Sequence, residues 1–271
     1  MPNHVTNQII ASPEVIRFLV RERTAEEHAA HAEEQARTSE NYKKRTGKDW
    51  PYPQEPLSEW AFDFNTFAPM PTEVEGTTVG TGGFEMFDER GWYGWSLSHW
   101  GTKWNAYSQS IEDLPDGRRM LQFDTAWSHP GPVMETIAER LGEKFPDEVV
   151  DVRYADEDFG NNVGRYQIIE GEVVNFEELS NTDEGNELAA QIKYGQTFAE
   201  VQAGWHADEI DGAQRYVFCK RIEKERGIDN GYKVISDEGL EMPEDIKAAI
   251  TTVEQAESVW ADDNEIVKAL V

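Results

Sequence analysis

The residues best suited to recognition chemistry are aromatic and fall in one block. Trp92, Tyr93, Trp95, Trp100, Trp104 and Tyr107 lie close together, with Lys103 among them and Trp127 further on. Such rings can stack on a base or another flat ligand, and a lysine beside them can pair with a phosphate. A plainer reading competes with this. Each buried aromatic removes roughly 150–250 Å² from water. A chain with nine Trp, nine Tyr and twelve Phe, but only 38% hydrophobic residues, needs such anchors. The block is therefore expected to be core first and a candidate pocket second.

The other constellations fall short of a catalytic or metal site. Asp156, Glu157 and Asp158 with Asn161 and Asn162 suggest a calcium loop. Counted from Asp156, however, the position needing Gly holds Asn161 and the position needing the bidentate Glu holds Gln167. A solvated hairpin loop fits better. His28 and His31 are one helical turn apart among acids, but a metal there would need fixed supporting partners. Ser96, Ser98 and His99 are too close in sequence for a triad, and no nucleophile elbow is present. Gly80-Thr81-Gly82-Gly83 lacks the Lys-Ser/Thr that follows a phosphate loop. Lys220 and Arg221 could lower the pKa of the single cysteine, Cys219, yet a small buried core residue is the better reading. The expectation is no catalytic residues, no metal and no cofactor.

Charge narrows the partners. With 53 acidic and 25 basic residues the net charge is −28, which opposes direct contact with nucleic acid or anionic membranes. It permits a solvated surface, or mimicry of a phosphate surface aimed at a basic protein. One cysteine allows no internal disulfide, and Met1–Gln8 shows neither the basic nor the apolar segment of a signal peptide. No run is apolar enough to span a bilayer. A cytoplasmic protein is expected.

These residues must be positioned by regular elements. His4–Ile10 alternates as a strand. Ser12-Pro13-Glu14 opens a helix with Val15, Ile16, Leu19 and Val20 on one face, expected to extend, exposed, to about Arg37. Asn41–Pro56 reads as a Pro-rich loop or arm, and Trp60–Phe67 as a strand stopped by Pro69-Met70-Pro71. Phe84–Trp95 reads as helical or irregular. Lys103–Ser108 and Arg118–Thr125 should form a hairpin about Pro115-Asp116-Gly117, with Lys103 and Trp104 on opposite faces. Met134, Ala138, Leu141 and Phe145 mark the best amphipathic helix. Strands follow at Glu148–Tyr154, Gly164–Ile169 and Glu172–Asn175. Helices are then expected at about Glu184–Ala203, Ala213–Arg226 and Pro243–Val259. The last has Ile246, Ala249, Ile250, Val253 and Trp260 on one face.

Three segments carry a likeness: Phe62-Asp63-Phe64-Asn65 with Pro69-Met70-Pro71; Trp92-Tyr93-Gly94-Trp95 leading to Trp100-Gly101-Thr102-Lys103-Trp104-Asn105-Ala106-Tyr107; and Phe123-Asp124-Thr125-Ala126-Trp127-Ser128 with Pro130 and Pro132, then the amphipathic helix and Arg153-Tyr154. Their order resembles the YubB-type family of plasmid and phage proteins, over roughly residues 1–170. His129 stands where that pattern would have Pro, which loosens the turn before the helix. The resemblance implies an α+β fold, a ferredoxin-like two-layer sandwich of an antiparallel sheet with helices on one face, and a mobile-element origin. It implies no catalytic residues. The order of strands and helices read above points to the same two-layer class without the resemblance.

The resulting expectation is a ferredoxin-like domain over 1–175, carrying an exposed helix and Pro-rich arm at about 22–58. An acidic helical region follows over 176–271, where 23 acidic residues meet 9 basic ones beyond position 170. The function expected is a non-enzymatic binding protein of a phage or plasmid, acting in the host cytoplasm on a host factor such as a defence system. Three alternatives stand beside it: a nucleotide or small-molecule sink using the aromatic block, an acidic DNA mimic that holds a basic host protein, and an unrecognised nucleic-acid-related enzyme.

Overall fold

Strand β1 (His4–Ala11) is hydrogen-bonded on both sides, to β5 (Arg119–Ala126) and to β6 (Val149–Asp156), antiparallel to each. In the computed structural model, all residues are described except 1–2, 54–55 and 261–264. These omit the first two residues of the amino-terminal stretch and two of the Pro-rich arm. The sheet gains β4 (Tyr107–Asp113) beyond β5, and β7 (Gly164–Ile169) and β8 (Glu172–Glu178) beyond β6. The spatial order is β4-β5-β1-β6-β7-β8, with every neighbour antiparallel.

Helix α1 (Pro13–Leu19) lies in the connection from β1 to β4, and α4 (Gly131–Lys144) connects β5 to β6. Each connection skips one sheet position, which the other unit's strand fills. This is the ferredoxin-like arrangement expected, with β7 and β8 added at one edge. Odd-numbered β1 residues Val5, Ile9 and Ala11 pack with Val15, Ile16 and Leu19 of α1 and with Met134, Ile137 and Leu141 of α4. The even-numbered residues Thr6, Gln8 and Ile10 are buried too, on the opposite face. There α5 (Asp183–Tyr194) packs Leu188, Ala189 and Ile192 against Ala155, Val163 and Leu179.

The chain divides into compact units between Lys193 and Tyr194, later than the division at 175 expected from the sequence. The reason is local. β8 pairs with β7, and α5 shares a core with the sheet, so both stay with the first unit. In the second unit α6 (Phe198–Arg226) packs with α8 (Glu244–Ala249) and α9 (Val253–Val259) around Ala213, Val217, Ile222, Ile246 and Ile250. It also contains α7 (Gly231–Glu238) and α10 (Glu265–Leu270).

Several boundaries differ from the sequence reading. The helix that starts at Ser12 stops at Leu19, because Val20–Glu22 forms β2 and pairs with β3 (Trp60–Phe62). A separate helix, α2 (Ala25–Thr46), then begins with a capping box. The Glu27 amide donates to Thr24 Oγ1, and the Thr24 amide donates to Glu27 Oε2 at 2.8 Å. It runs through Asn41–Thr46, expected as loop, until Gly47 supplies the left-handed cap. No α2 residue is buried. Strand β3 ends at Phe62 because the Asp63 carboxylate accepts from the Asn65 amide and turns the chain. Residues 103–106 are irregular, and pairing starts at Tyr107. Further on, the break between the two expected helices falls at Gly195 (φ 65°) rather than after Ala203, so α6 runs unbroken from Phe198 to Arg226, and Thr252 caps α9 separately from α8. Trp260 is exposed rather than on the apolar face.

Because β1 holds both neighbours, cavities beneath it are costly and helix caps at the periphery are cheap. Ile9→Ala should lower the unfolding free energy by about 2–5 kcal/mol. Thr24→Ala should lower it by only about 1 kcal/mol. Urea unfolding followed by circular dichroism checks the ordering.

Candidate functional site: an indole and lysine surface beside a buried polar latch

The aromatic block separates into inward and outward halves. Helix α3 (Trp92–His99) turns Trp95 into the core at 7% exposure, while Trp100 just after it is 5% exposed and donates its indole N–H to the Ala68 carbonyl at 2.9 Å. Tyr93 is buried, and Trp92 is partly buried against the same core. Trp95 and Trp100 belong to the core cluster, and Trp92 packs against it.

Trp104 and Trp127 remain 39% and 42% exposed. Lys103 Nζ lies 4.7 Å from the centroid of one ring and 4.8 Å from the other, so the ammonium is held by two indole faces. The expected opposition of Lys103 and Trp104 across a strand does not occur, because residues 103–106 are not a strand. Tyr107 closes the group. Its hydroxyl is 2.7 Å from His4 Nδ1 and its ring packs edge-on to Trp104. Burial, reinforced by Asp124 and Glu157, pushes the Tyr107 phenol up to about 12.

Two backbone features fix this surface. Gly101 has φ 80°, and a Cβ there would lie 2.4 Å from Pro132 Cδ, so only glycine fits. Trp127 has φ 74°, a region that costs a bulky residue about 1–3 kcal/mol. The surroundings hold it there. The Trp127 amide donates to the Asn3 carbonyl at 2.9 Å, and Ser128 Oγ donates to the Gly101 carbonyl at 2.5 Å. Buried Thr102 donates its hydroxyl to the Ala126 carbonyl at 2.7 Å.

Behind the turn lies His129, whose ring stacks on Tyr154 at 4.3 Å. Buried Asn7 donates through Nδ2 to the Val5 carbonyl and to Thr125 Oγ1, which leaves its Oδ1 as an acceptor. His129 Nδ1–H therefore donates to Asn7 Oδ1 at 2.7 Å, and bare Nε2 accepts from the Tyr166 hydroxyl at 2.9 Å. Desolvation in this half-buried position keeps the imidazole neutral, down to about 3. Burial raises both tyrosines, Tyr154 to about 12. Far from loosening the turn, His129 ties it to β1 and β7. The sequence displayed this residue but not its burial, which depends on strands far apart in the chain.

The remaining candidates are placed apart. Ser96, Ser98 and His99 each bond elsewhere, to the Trp92 carbonyl, Glu89 and the Trp95 carbonyl. Asp156 is buried and accepts from Asn162 Nδ2 and the Asp158 amide within its own turn. No group of His, Cys, Asp and Glu among the described residues could hold a metal ion. Gly80 and Gly83 spend their amides inside their loop. Cys219 is buried, and desolvation, with help from Glu223, raises its thiol. No described helix is long and apolar enough to cross a membrane.

Residues 103–196 match the family model for the ferredoxin-like domain in Api92-like protein. The match covers only part of the ferredoxin-like sheet, whose central strand β1 and helix α1 precede it. It runs from Lys103 in the indole surface through β4–β8 and the turn with His129, and takes in α5. The crystal structure of protein api92 from Yersinia pseudotuberculosis aligns at 9% identity with a TM-score of 0.36, covering 66% of this chain and 98% of that one. Among curated proteins no match is found.

The latch predicts a pH dependence with a definite sign. The unfolded histidine titrates near its ordinary value of about 6.5, whereas the folded one stays neutral to about 3. Between these values the unfolded state binds the extra proton, so stability falls as pH drops through the window and is constant above it. From pH 7 to pH 5 the wild type should lose about 2 kcal/mol more than a His129→Asn variant. Urea midpoints measured on both proteins across that range check it.

Proposed function

We propose that the protein is a non-catalytic binding protein, encoded by a phage or plasmid of the YubB-type group, that engages a host protein in the host cytoplasm. Components of a host defence system are the expected class of partner. The observation that carries this reading is the pair of half-exposed indoles, Trp104 and Trp127, set side by side on Lys103. Exposed tryptophans on a rigid turn are the residue type that dominates interface energetics. Two further features support it. The strongly shifted groups His129 and Tyr166 satisfy one another inside the core rather than facing an open site. The charge of −28 would steer a basic partner toward the chain, and a nucleic-acid-binding protein is the narrower form of that partner.

A second reading uses the same surface for a nucleotide. One indole would stack on the base while Lys103 pairs with a phosphate. The two readings separate in one experiment. Tagged wild type and a Trp104→Ala/Trp127→Ala double variant are used to capture partners from host lysate at low and high salt. The proposal expects a protein held by the wild type, weakened by salt, and lost in the variant, since each truncation removes about 2 kcal/mol or more. Equal capture by both would contradict it. Release of a nucleotide from the wild type alone would favour the second reading.

A further inference from the structure

The side of the sheet away from α1 and α4 carries a transverse row of polar side chains. Register aligns Gln122, Gln8, Arg153, Arg165 and Glu177 across five strands. Arg153 and Arg165 stand directly opposite one another, a like-charge pairing that destabilises a sheet. Beside them is a cavity of about 500 Å³, with α5 as one wall through Leu188 and Gln191.

The charges lining this cavity are not evenly matched. Arg118 bonds Asp116 at 2.8 Å and Asp151 at 2.5 Å, and Asp151 also accepts from Gln167 Nε2 at 2.9 Å. Arg165 is paired with Glu177 and with Glu184. Each carboxylate on the lining is thus committed to another arginine. Arg153 has one hydrogen bond, from Nε to the neutral Gln8 Oε1 at 2.6 Å. Its two terminal nitrogens have no acceptor among the described residues, and neither is sealed from solvent. Asp151, two residues along the same strand, offsets its charge only in part. Burial pulls the guanidinium below its ordinary value.

A half-buried arginine that faces another arginine and lacks a carboxylate is a cost to the fold. Its planar fork is also the group that binds carboxylate or phosphate bidentately. We infer that this cavity is a binding site for a small organic anion whose carboxylate or phosphate end sits against the terminal nitrogens of Arg153. The space suits a molecule of about nucleoside monophosphate size. Ile10 and Leu188 offer an apolar wall, while Asn175 and Gln191, whose amide nitrogens bond Gln167 and Glu187, present their amide oxygens to polar substituents. With α5 covering one side and a chain charge of −28, a polymeric phosphate backbone is disfavoured. The site is separate from the indole surface and does not depend on the reading given to it.

Isothermal titration of the full chain with 5′-AMP, succinate and uncharged adenosine tests the inference. Saturable binding of AMP or succinate is expected, with none for adenosine, and the anion that binds identifies the terminal group. Arg153→Met should weaken that binding by roughly ten- to a hundred-fold, as loss of a charge-assisted pair does, without lowering the melting temperature. Gln191→Trp, made at an exposed position of α5, should fill the cavity and weaken binding with Arg153 intact. Failure of both anions to saturate the wild type would overturn the inference. So would wild-type affinity in both variants, or a large fall in melting temperature for Arg153→Met with unchanged affinity in Gln191→Trp.

Discussion

Everything in the first unit depends on the double pairing of β1. It is flanked by β5 and β6, which arrive more than a hundred residues later in the chain. An edge strand can leave one face and one row of amides to water. A central strand covered on both faces cannot. β1 answers by alternating two chemistries, apolar Val5, Ile9 and Ala11 toward the helices and Thr6 and Gln8 toward the other face. Asn7 is the exception, a buried amide on the apolar side, and it recruits its own partners.

That exception links the core to the surface. His129 bonds Asn7 on one side and Tyr166 on the other, and so anchors the turn between β5 and α4 to β1 and β7. The same turn carries Trp127 in its left-handed conformation and meets Gly101 through Ser128. An unpaired buried polar group costs about 1–3 kcal/mol, which gives the turn one preferred arrangement. The exposed indoles are thereby rigid without being buried themselves. The opposite face of the sheet is built on different terms, with amides and arginines in register and a charge left uncompensated at Arg153.

Most of the fold was legible in the sequence. Strand alternation located β1, β5, β6 and β7, the Pro-Asp-Gly turn placed the β4–β5 hairpin, and helical spacing found α4. What failed to show had local causes. Thr24 with Glu27 and Thr252 with Gln255 are capping boxes that restart helices, and they outweigh the helix-prone composition on either side. Lys103 and Trp104 were expected on opposite faces, but the Gly101–Thr102 turn keeps them out of the strand. That rings of the aromatic block would serve as core was an expectation from composition. Which rings stay outside was not readable, because Trp127 depends on a backbone conformation that no pattern of residue types announces. Arg153 and His129 were hidden for a related reason. Their roles arise from cross-strand register and from burial between distant segments, neither of which is a property of the local sequence.

The central claim is that β1, latched through Asn7 and His129, is the rigid axis on which both the indole surface and the arginine face are mounted. Native-state hydrogen exchange of the full chain, read by mass spectrometry, tests it most directly. The amides of β1 and of its partners in β5 and β6 should be the slowest in the first unit, exchanging only on global unfolding, while α2 and the edge strand β8 exchange by local opening. Amides of β1 that exchange as fast as those of α2 would contradict it.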